Sequence, residues 1–366
     1  MLRNSTKISA AVYDPEIIKQ LQELDGENVE IELKDDYISF NKSNKVPKPN
    51  EYPQITVPKL KYTDKILTSK EYSPDLVGAK AYNLRRLEEL VKSGKIDVKI
   101  PKSIALTHGV IQKMFDENKR QQIEWDKKGL DYYPCKEAAY APYKEEQSER
   151  RMMDLIEIIN KNGINGRSIM VRSAFNGEDL PNYSAAGIYR TAVSYVNPED
   201  LYNSIIHVAQ SKWGINAVLS RQKHGIPDDA IQPTVILQKF IKPDYKFTLY
   251  TDYDDNKMRL EMYSDNAWRF GDAEQPHVFT YDKKSGELTY DSVQLTESCA
   301  SYDENLNPLA SEPMRFDISD KPEVFELVQK LVDNALVIEN EFGAPQDIEG
   351  GFLGDEIYLW QTRNIV

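Results

Sequence analysis

Cysteine and histidine are scarce in this chain. Cys135 and Cys299 are the only cysteines in 366 residues. They lie far apart and in no metal spacing, so they read as ordinary thiols rather than a disulfide framework or thiolate centre. The four histidines (His108, His207, His224, His277) show no metal spacing either, and no Ser/His/Asp or Cys/His arrangement stands out. Positive charge is in short supply: 46 Lys and Arg against 59 Asp and Glu leave a formal net charge of −13. That argues against nucleic acid or an anionic membrane as partner, yet leaves room for an anionic ligand in a local basic pocket. No apolar run approaches the roughly 18 residues that span a bilayer. The start, MLRNSTKISA, has no apolar core of a secretory signal, and a cytoplasmic setting is expected. Neither GxxxxGK followed by Ser or Thr, nor GxGxxG after a strand, occurs. Two common phosphate-binding loops are thereby removed.

What is present is an α+β pattern in three stretches. Residues 1–40 hold a strand-like KISAAVY, a helix opened by Asp14 and Pro15, and an alternating NVEIELKDDYISF hairpin. Alone they are too short to enclose a core and read as the end of a domain. Residues 41–69 are rich in Pro, Lys and Asn and read as a semi-extended linker between two bodies. From residue 70 the chain is regular. A helix runs from about Ala79 with Leu84, Leu87 and Leu90 on one side. Strands are expected in VKIPKSIALT, RSIMVRS, PTVILQKFI, YKFTLYTDY and KMRLEMYS, with a further β section over 275–300. His207 falls inside an amphipathic helix and reads as structural. A long helix ends at Gly343, and a hairpin closes the chain. The centre is expected to be largely antiparallel, not doubly wound.

Three basic residues sit beside turns or small residues. Lys80 follows Val77-Gly78-Ala79 at a helix start, where free N–H groups and the dipole favour phosphate. Taken alone, it reads rather as a solvated lysine on a first turn. Arg172 ends the strand SIMV and precedes the turn NGEDL and the small run SAAG, which ends at Gly187 and lets backbone approach a ligand closely. Its planar fork suits phosphate, or a structural ion pair with Glu178 or Asp179. In the last hairpin Gln361 and Arg363 share a face. A three-residue turn at Gly354-Asp355-Glu356 would set Glu349 opposite Gln361, whereas a two-residue turn would put them on opposite faces. In the first register a carboxylate, an amide oxygen and an arginine converge as a Mg²⁺–phosphate seat. In the second, polar residues simply face outward.

The ordered motifs VGAKAYNL, IPKSIALT, VRSAFNGEDLPNYSAAGIY and QDIEGGFLGDEIYLWQTRNI resemble the nucleotide-binding domain of the pyruvate phosphate dikinase and phosphoenolpyruvate synthase family. The likeness is closer to the carboxy-terminal domain of the glucan, water dikinases and spans roughly residues 70–366. It implies an ATP-grasp-type domain of two subdomains, with ATP between them and Mg²⁺ as cofactor. Lys80, Arg172 and Arg363 would hold phosphates, and Glu349 and Gln361 would bind Mg²⁺. Gln238, Lys239, Phe240 and Ile241 would form the adenine hinge. The phosphoryl group would pass to a histidine on a swivelling domain. Residues 1–40 resemble the part of that domain just after its histidine, so a partial remnant precedes the ATP domain and the histidine itself lies elsewhere. Two departures stand out. KPDYKFTLYTDY and LEMYSDNAWRFGD replace the family's glycine-rich middle segment, and the histidine motif is absent. The alternative is a non-catalytic nucleotide-binding module that regulates a partner.

Overall fold

A computed structural model describes residues 15–25, 27–34, 37–43, 52–117, 146–180, 183, 185, 187–254, 256–264, 276–292, 294–297 and 313–365. The expected strand KISAAVY, both cysteines, and Ser184 and Ala186 of the SAAG run lie outside the described residues, as does 265–275 of the replaced middle segment. The first elements are α1 (Pro15–Glu23), β1 (Val29–Lys34) and β2 (Tyr37–Lys42), the last two forming the expected antiparallel hairpin. Then come β3 (Ile66–Thr68), α2 (Pro74–Lys92), β4 (Ser103–Leu106), α3 (His108–Glu117), α4 (Glu146–Lys161), β5 (Ser168–Ser173), β6 (Thr191–Tyr195), α5 (Pro198–Ala209), α6 (Ile215–Lys223) and β7 (Val235–Lys239). The remainder comprises β8 (Tyr245–Asp254), β9 (Lys257–Ser264), β10 (His277–Asp282), β11 (Glu287–Ser292), β12 (Gln294–Glu297), β13 (Pro313–Phe316), α7 (Pro322–Phe342), β14 (Gln346–Leu353) and β15 (Glu356–Asn364).

Two sheets dominate. One has the order β3-β4-β7-β5-β6, the other β11-β10-β9-β8-β14-β15. Every neighbouring pair in both is antiparallel. Alternation along the strands of the first sheet sets its faces. Ile104, Leu106, Ile169, Val171 and Leu237 pack into a core with α3, α4 and α5. Ala105 and Ile236 face the other way, against Val77, Ala81 and Leu84 of α2. Arg172 is paired with Ile236, and Met170 with Gln238. These side chains therefore share the α2 face and leave the helix-covered face to apolar residues.

In the second sheet Leu249, Leu260, Ile348, Ile357 and Leu359 enclose a core with α7. Leu87 and Leu90, from the later turns of α2, belong to this same core. One helix thus spans both cores. It is interrupted at Gly78, which has φ 75 and ψ 173. A Cβ there would meet the Ala174 carbonyl oxygen at 2.7 Å, so only glycine fits both the backbone and the contact. The helix restarts at Ala79, which places Lys80 in a first turn as expected.

Residues 52–65 depart from the expected linker. They form an extended strap held against the five-stranded sheet's domain rather than a free tether. Ile55 N–H donates to His224 O, Lys61 N–H to Asp75 O, and the Thr107 hydroxyl to Thr63 O. Composition showed the extended backbone but not its docking sites. Those are groups at the start of α2, after β4 and after α6.

Candidate functional site

The site forms where the two sheets meet. Arg172, at the end of β5, is buried. Its Nη2 donates to Gln361 Oε1 at 2.6 Å and lies 3.5 Å from Glu349 Oε2. Gln361 Nε2 in turn reaches Glu349 Oε1 at 3.4 Å. Arg363 grips Asp347 Oδ2 through Nε at 3.0 Å and Nη2 at 2.5 Å, and its Nη1 stands 3.7 Å from Asp179 Oδ1. Lys80 Nζ pairs with Glu178 Oε2 at 2.7 Å. Beside the turn at 176–180 opens a cavity of about 270 Å³ whose lining includes Gly78, Ala79, Asn83, Asn176 and Asp179.

Glu349 does lie opposite Gln361, and Asp347 opposite Arg363. The route differs from the three-residue turn, because Leu353 pairs with Glu356 across a two-residue turn. The pairing then shifts between Glu349 and Gly350, leaving Trp360 as an extra residue in β15. The physical reason is parity. Residues 357, 359, 361 and 363 would all share one face of a regular strand. Ile357 and Leu359 are needed in the core, while Gln361 and Arg363 are needed in the site. A β-bulge switches the face between the two pairs.

Arg172 does not take the ion pair expected with Glu178 or Asp179. Its partners are Gln361 and Glu349 on the other sheet, and the turn's two acids go to Lys80 and Arg363. Lys80 is not solvated: its side chain is 11% exposed and that of Glu178 3%. Sequence reasoning gave no site role to Glu178, Asp179 or Asp347. The acidic turn after Arg172 signalled that partners were close, but not which cation each would take. Asp179 holds a left-handed φ of 55, a conformation Asp tolerates better than most residues.

Burial governs the electrostatics. It pushes the Asp347 carboxyl up to about 6, against the pull of Arg363. Burial likewise raises Asp179, opposed by Lys80 and Arg363. For Arg172 burial lowers the guanidinium's value, opposed by Glu349. For Arg363 burial pulls down, but Asp347 and Asp179 more than offset it and the net direction is up. Asp179 Oδ2 and Asp347 Oδ1 are buried without a hydrogen-bond partner among the described residues.

Of the residues expected to form the hinge, Gln238 and Lys239 end β7, and Phe240 and Ile241 begin the crossover to β8 that links the two sheets. Gln238 is buried and its Nε2 donates to Pro101 O at 3.4 Å. Lys239 N–H donates to Lys102 O at 2.9 Å. Phe240 and Ile241 are half-buried, and Gly187 is exposed at φ 66. Among the described residues no group of three or more His, Cys, Asp or Glu side chains is placed to hold a metal ion. What exists is one carboxylate, Glu349, a third exposed, facing the Gln361 amide nitrogen, with the Gln361 amide oxygen turned to Arg172. These are hard oxygen donors, few in number. They fit Mg²⁺, which draws the rest of its shell from phosphate and water, better than a metal that needs a protein cage.

Comparison with known proteins accords with this geometry. The family model described as pyruvate phosphate dikinase, AMP/ATP-binding domain, matches residues 74–366. Alpha-glucan water dikinase 2 of Arabidopsis thaliana is 23% identical over 99% of this chain and 30% of its own length. Alpha-glucan water dikinase 1, chloroplastic, of the same plant is 24% identical over 99% of this chain and 28% of its own length. A rifampicin phosphotransferase of Bacillus cereus is 26% identical over 53% of this chain and 23% of its own. The chain thus spans less than a third of each of these relatives. Over most of its length, this chain belongs to the pyruvate phosphate dikinase AMP/ATP-binding domain family.

Proposed function

We propose that this domain binds ATP with Mg²⁺ in the cleft between its two sheets, in an ATP-grasp arrangement. It then passes the β-phosphoryl group of ATP to a histidine on another domain or chain, while the γ-phosphoryl group goes to water as phosphate and AMP is released. The observation that carries the reading is the meeting of Arg172 from one sheet with Gln361 and Glu349 from the other. Lys80, Arg172 and Arg363 are the phosphate-holding cations. Each is already bound to a carboxylate or amide that fixes its position, so little reorganisation is needed on binding. Glu349 and Gln361 would hold Mg²⁺, which when bound neutralises charge on the phosphate oxygens. Because Gln238 and Lys239 spend polar groups on residues 101–102, Phe240 and Ile241 supply the backbone nearest an adenine. Residues 1–40 correspond to the part of a swivelling domain that follows its histidine, the histidine being on another domain or chain. The final acceptor is a glucan or a pyruvate-like compound, in keeping with the names of the relatives.

A second reading, nucleotide binding that regulates a partner without turnover, draws on the replaced glycine-rich segment. One experiment separates the two. The chain is titrated calorimetrically with ATP, with and without Mg²⁺, and then incubated with a histidine-bearing swivelling domain while AMP is assayed. Magnesium-dependent binding followed by AMP formation is expected. Binding without AMP supports the regulatory module, and no binding overturns both.

A further inference from the structure

The turn that carries Glu178 and Asp179 is built around Asn176, a buried residue that touches neither a site cation nor a site carboxylate in the contacts described. Its Nδ2 donates to Pro58 O at 2.8 Å and to Ala230 O at 2.9 Å. Its Oδ1 accepts from Gln232 N–H at 2.7 Å. Gln232 Oε1 accepts from Leu60 N–H at 2.6 Å. One amide therefore fastens three segments together: the strap at 52–65, the loop at 230–232 and the acidic turn. An asparagine can do this because it has two donors and an acceptor on one rigid plane.

The packing repeats the same connection. A Cβ on Gly177 would meet Ile231 Cδ1 at 2.5 Å and the Val57 methyls at 3.8 Å. At Gly177 the turn sits between strap and loop, and a side chain there would have to displace the end of Ile231. Ile55 and Val57 of the strap pack on Phe175 and Ile231. Within the turn, Glu178 Oε1 accepts from Phe175 N–H at 3.0 Å, while Glu178 Oε2 holds Lys80. A displacement of the strap is thus carried through Asn176 to the carboxylate that fixes Lys80.

The geometry points to Asn176 as a positioning residue through which the incoming strap sets the phosphate end of the cleft. The inference rests on the nucleotide reading of the site, but the linkage itself can be measured without nucleotide. Because linkage is reciprocal, a ligand that orders the turn also orders the strap.

The test reads amide hydrogen exchange at Leu60 in the strap and at Phe175 and Glu178 in the turn, alongside calorimetric affinity for Mg²⁺·ATP. In Asn176→Ala, exchange rises about tenfold or more at both places together, and the Kd for Mg²⁺·ATP rises about tenfold. Mg²⁺·ATP slows exchange at Leu60 in the unsubstituted chain. Asn176→Asp keeps the acceptor for Gln232 but loses both donors, and it behaves like the alanine variant. Recovery of normal affinity in Asn176→Asp would show that the strap plays no part. Faster exchange at Leu60 with an unchanged turn and unchanged Kd also overturns the proposal. If Asn176→Ala does not fold, Gln232→Ala removes the acceptor of Leu60 and gives a smaller change at the same two places. If Mg²⁺·ATP does not bind the unsubstituted chain, the nucleotide reading fails. Joint or separate response of the two sets of amides then decides the linkage alone.

Discussion

Arg172 and Gln361 belong to different sheets, 189 residues apart in the chain, yet their side chains meet at 2.6 Å. The contact closes the cleft from both sides and gives the two sheets a shared polar seam. Arg363 and Asp347 lie in that seam on neighbouring strands. The two arginines differ in what they leave behind when removed.

Arg172→Ala and Arg363→Ala should each weaken Mg²⁺·ATP binding by about 1.5–3 kcal/mol, the scale of a lost charge-assisted hydrogen bond. Their stability costs should differ. Arg363→Ala strands Asp347 and Asp179, both buried, and should cost about 3–5 kcal/mol. Arg172→Ala strands Glu349, which is a third exposed, and should cost less. Calorimetry and urea unfolding check the two halves. Unchanged affinity in folded variants would remove these residues from the site.

Gly78→Ala should destabilise by at least about 2 kcal/mol, since it forces an L side chain into a glycine backbone conformation and onto the Ala174 carbonyl. It should also weaken Mg²⁺·ATP binding, because Lys80 sits in the first turn of the helix that restarts just after Gly78. Denaturant midpoints and calorimetry measure both effects. A stable variant with normal binding would show that the kink has no part in placing Lys80.

The bulge at Trp360 makes a paired prediction. Deleting Trp360 leaves Leu359 and Gln361 as direct neighbours on opposite faces, so core and site both keep their side chains. Mg²⁺·ATP binding should persist. Inserting one alanine between Trp360 and Gln361 also keeps the facing, but it moves Gln361 from opposite Glu349 to opposite Asp347 and should abolish binding. The same outcome in both variants would show that the pairing of Glu349 with Gln361 is not what the site requires.

His277 is 1% exposed, with Nδ1 at 2.8 Å from the Tyr290 hydroxyl. Burial lowers its pKa to about 4, with Asp317 pulling the other way. Between pH 6.5 and 4 the unfolded chain therefore binds a proton that the folded one does not. This contribution to stability is lost as pH falls, about 3 kcal/mol by pH 4. Asp347, pushed up to about 6, acts with opposite sign in an overlapping window. The comparison is therefore with His277→Gln. The stability difference between the two chains should change with pH over that window, and a flat difference would contradict a neutral buried His277.

The sequence made the terminal hairpin, the helix ending at Gly343 and the strands around Arg172 legible because each repeats one period over several residues. It left the turn of the last hairpin ambiguous, since Ile357 and Leu359 argue for one register and Gln361 and Arg363 for the other. Both demands are real, and the bulge satisfies both. The partners of Lys80 and Arg363 were not legible. Glu178 and Asp179 are ordinary acids until the fold brings them to Lys80 and Arg363, and Asp347 meets Arg363 because the bulge sets their strands in register. The strap was invisible for a similar reason: its bonds run from extended backbone to groups scattered from Asp75 to Gln232.

Helix α2 buries its early residues in one core and its later ones in the other. Neither half of the ATP-binding region can therefore be excised whole. A fragment ending near residue 240 would carry Leu87 and Leu90 with nothing to cover them, and the complementary fragment would lack the helix altogether. The two halves should melt in a single calorimetric transition, and limited proteolysis should yield no stable piece containing only one of the sheets.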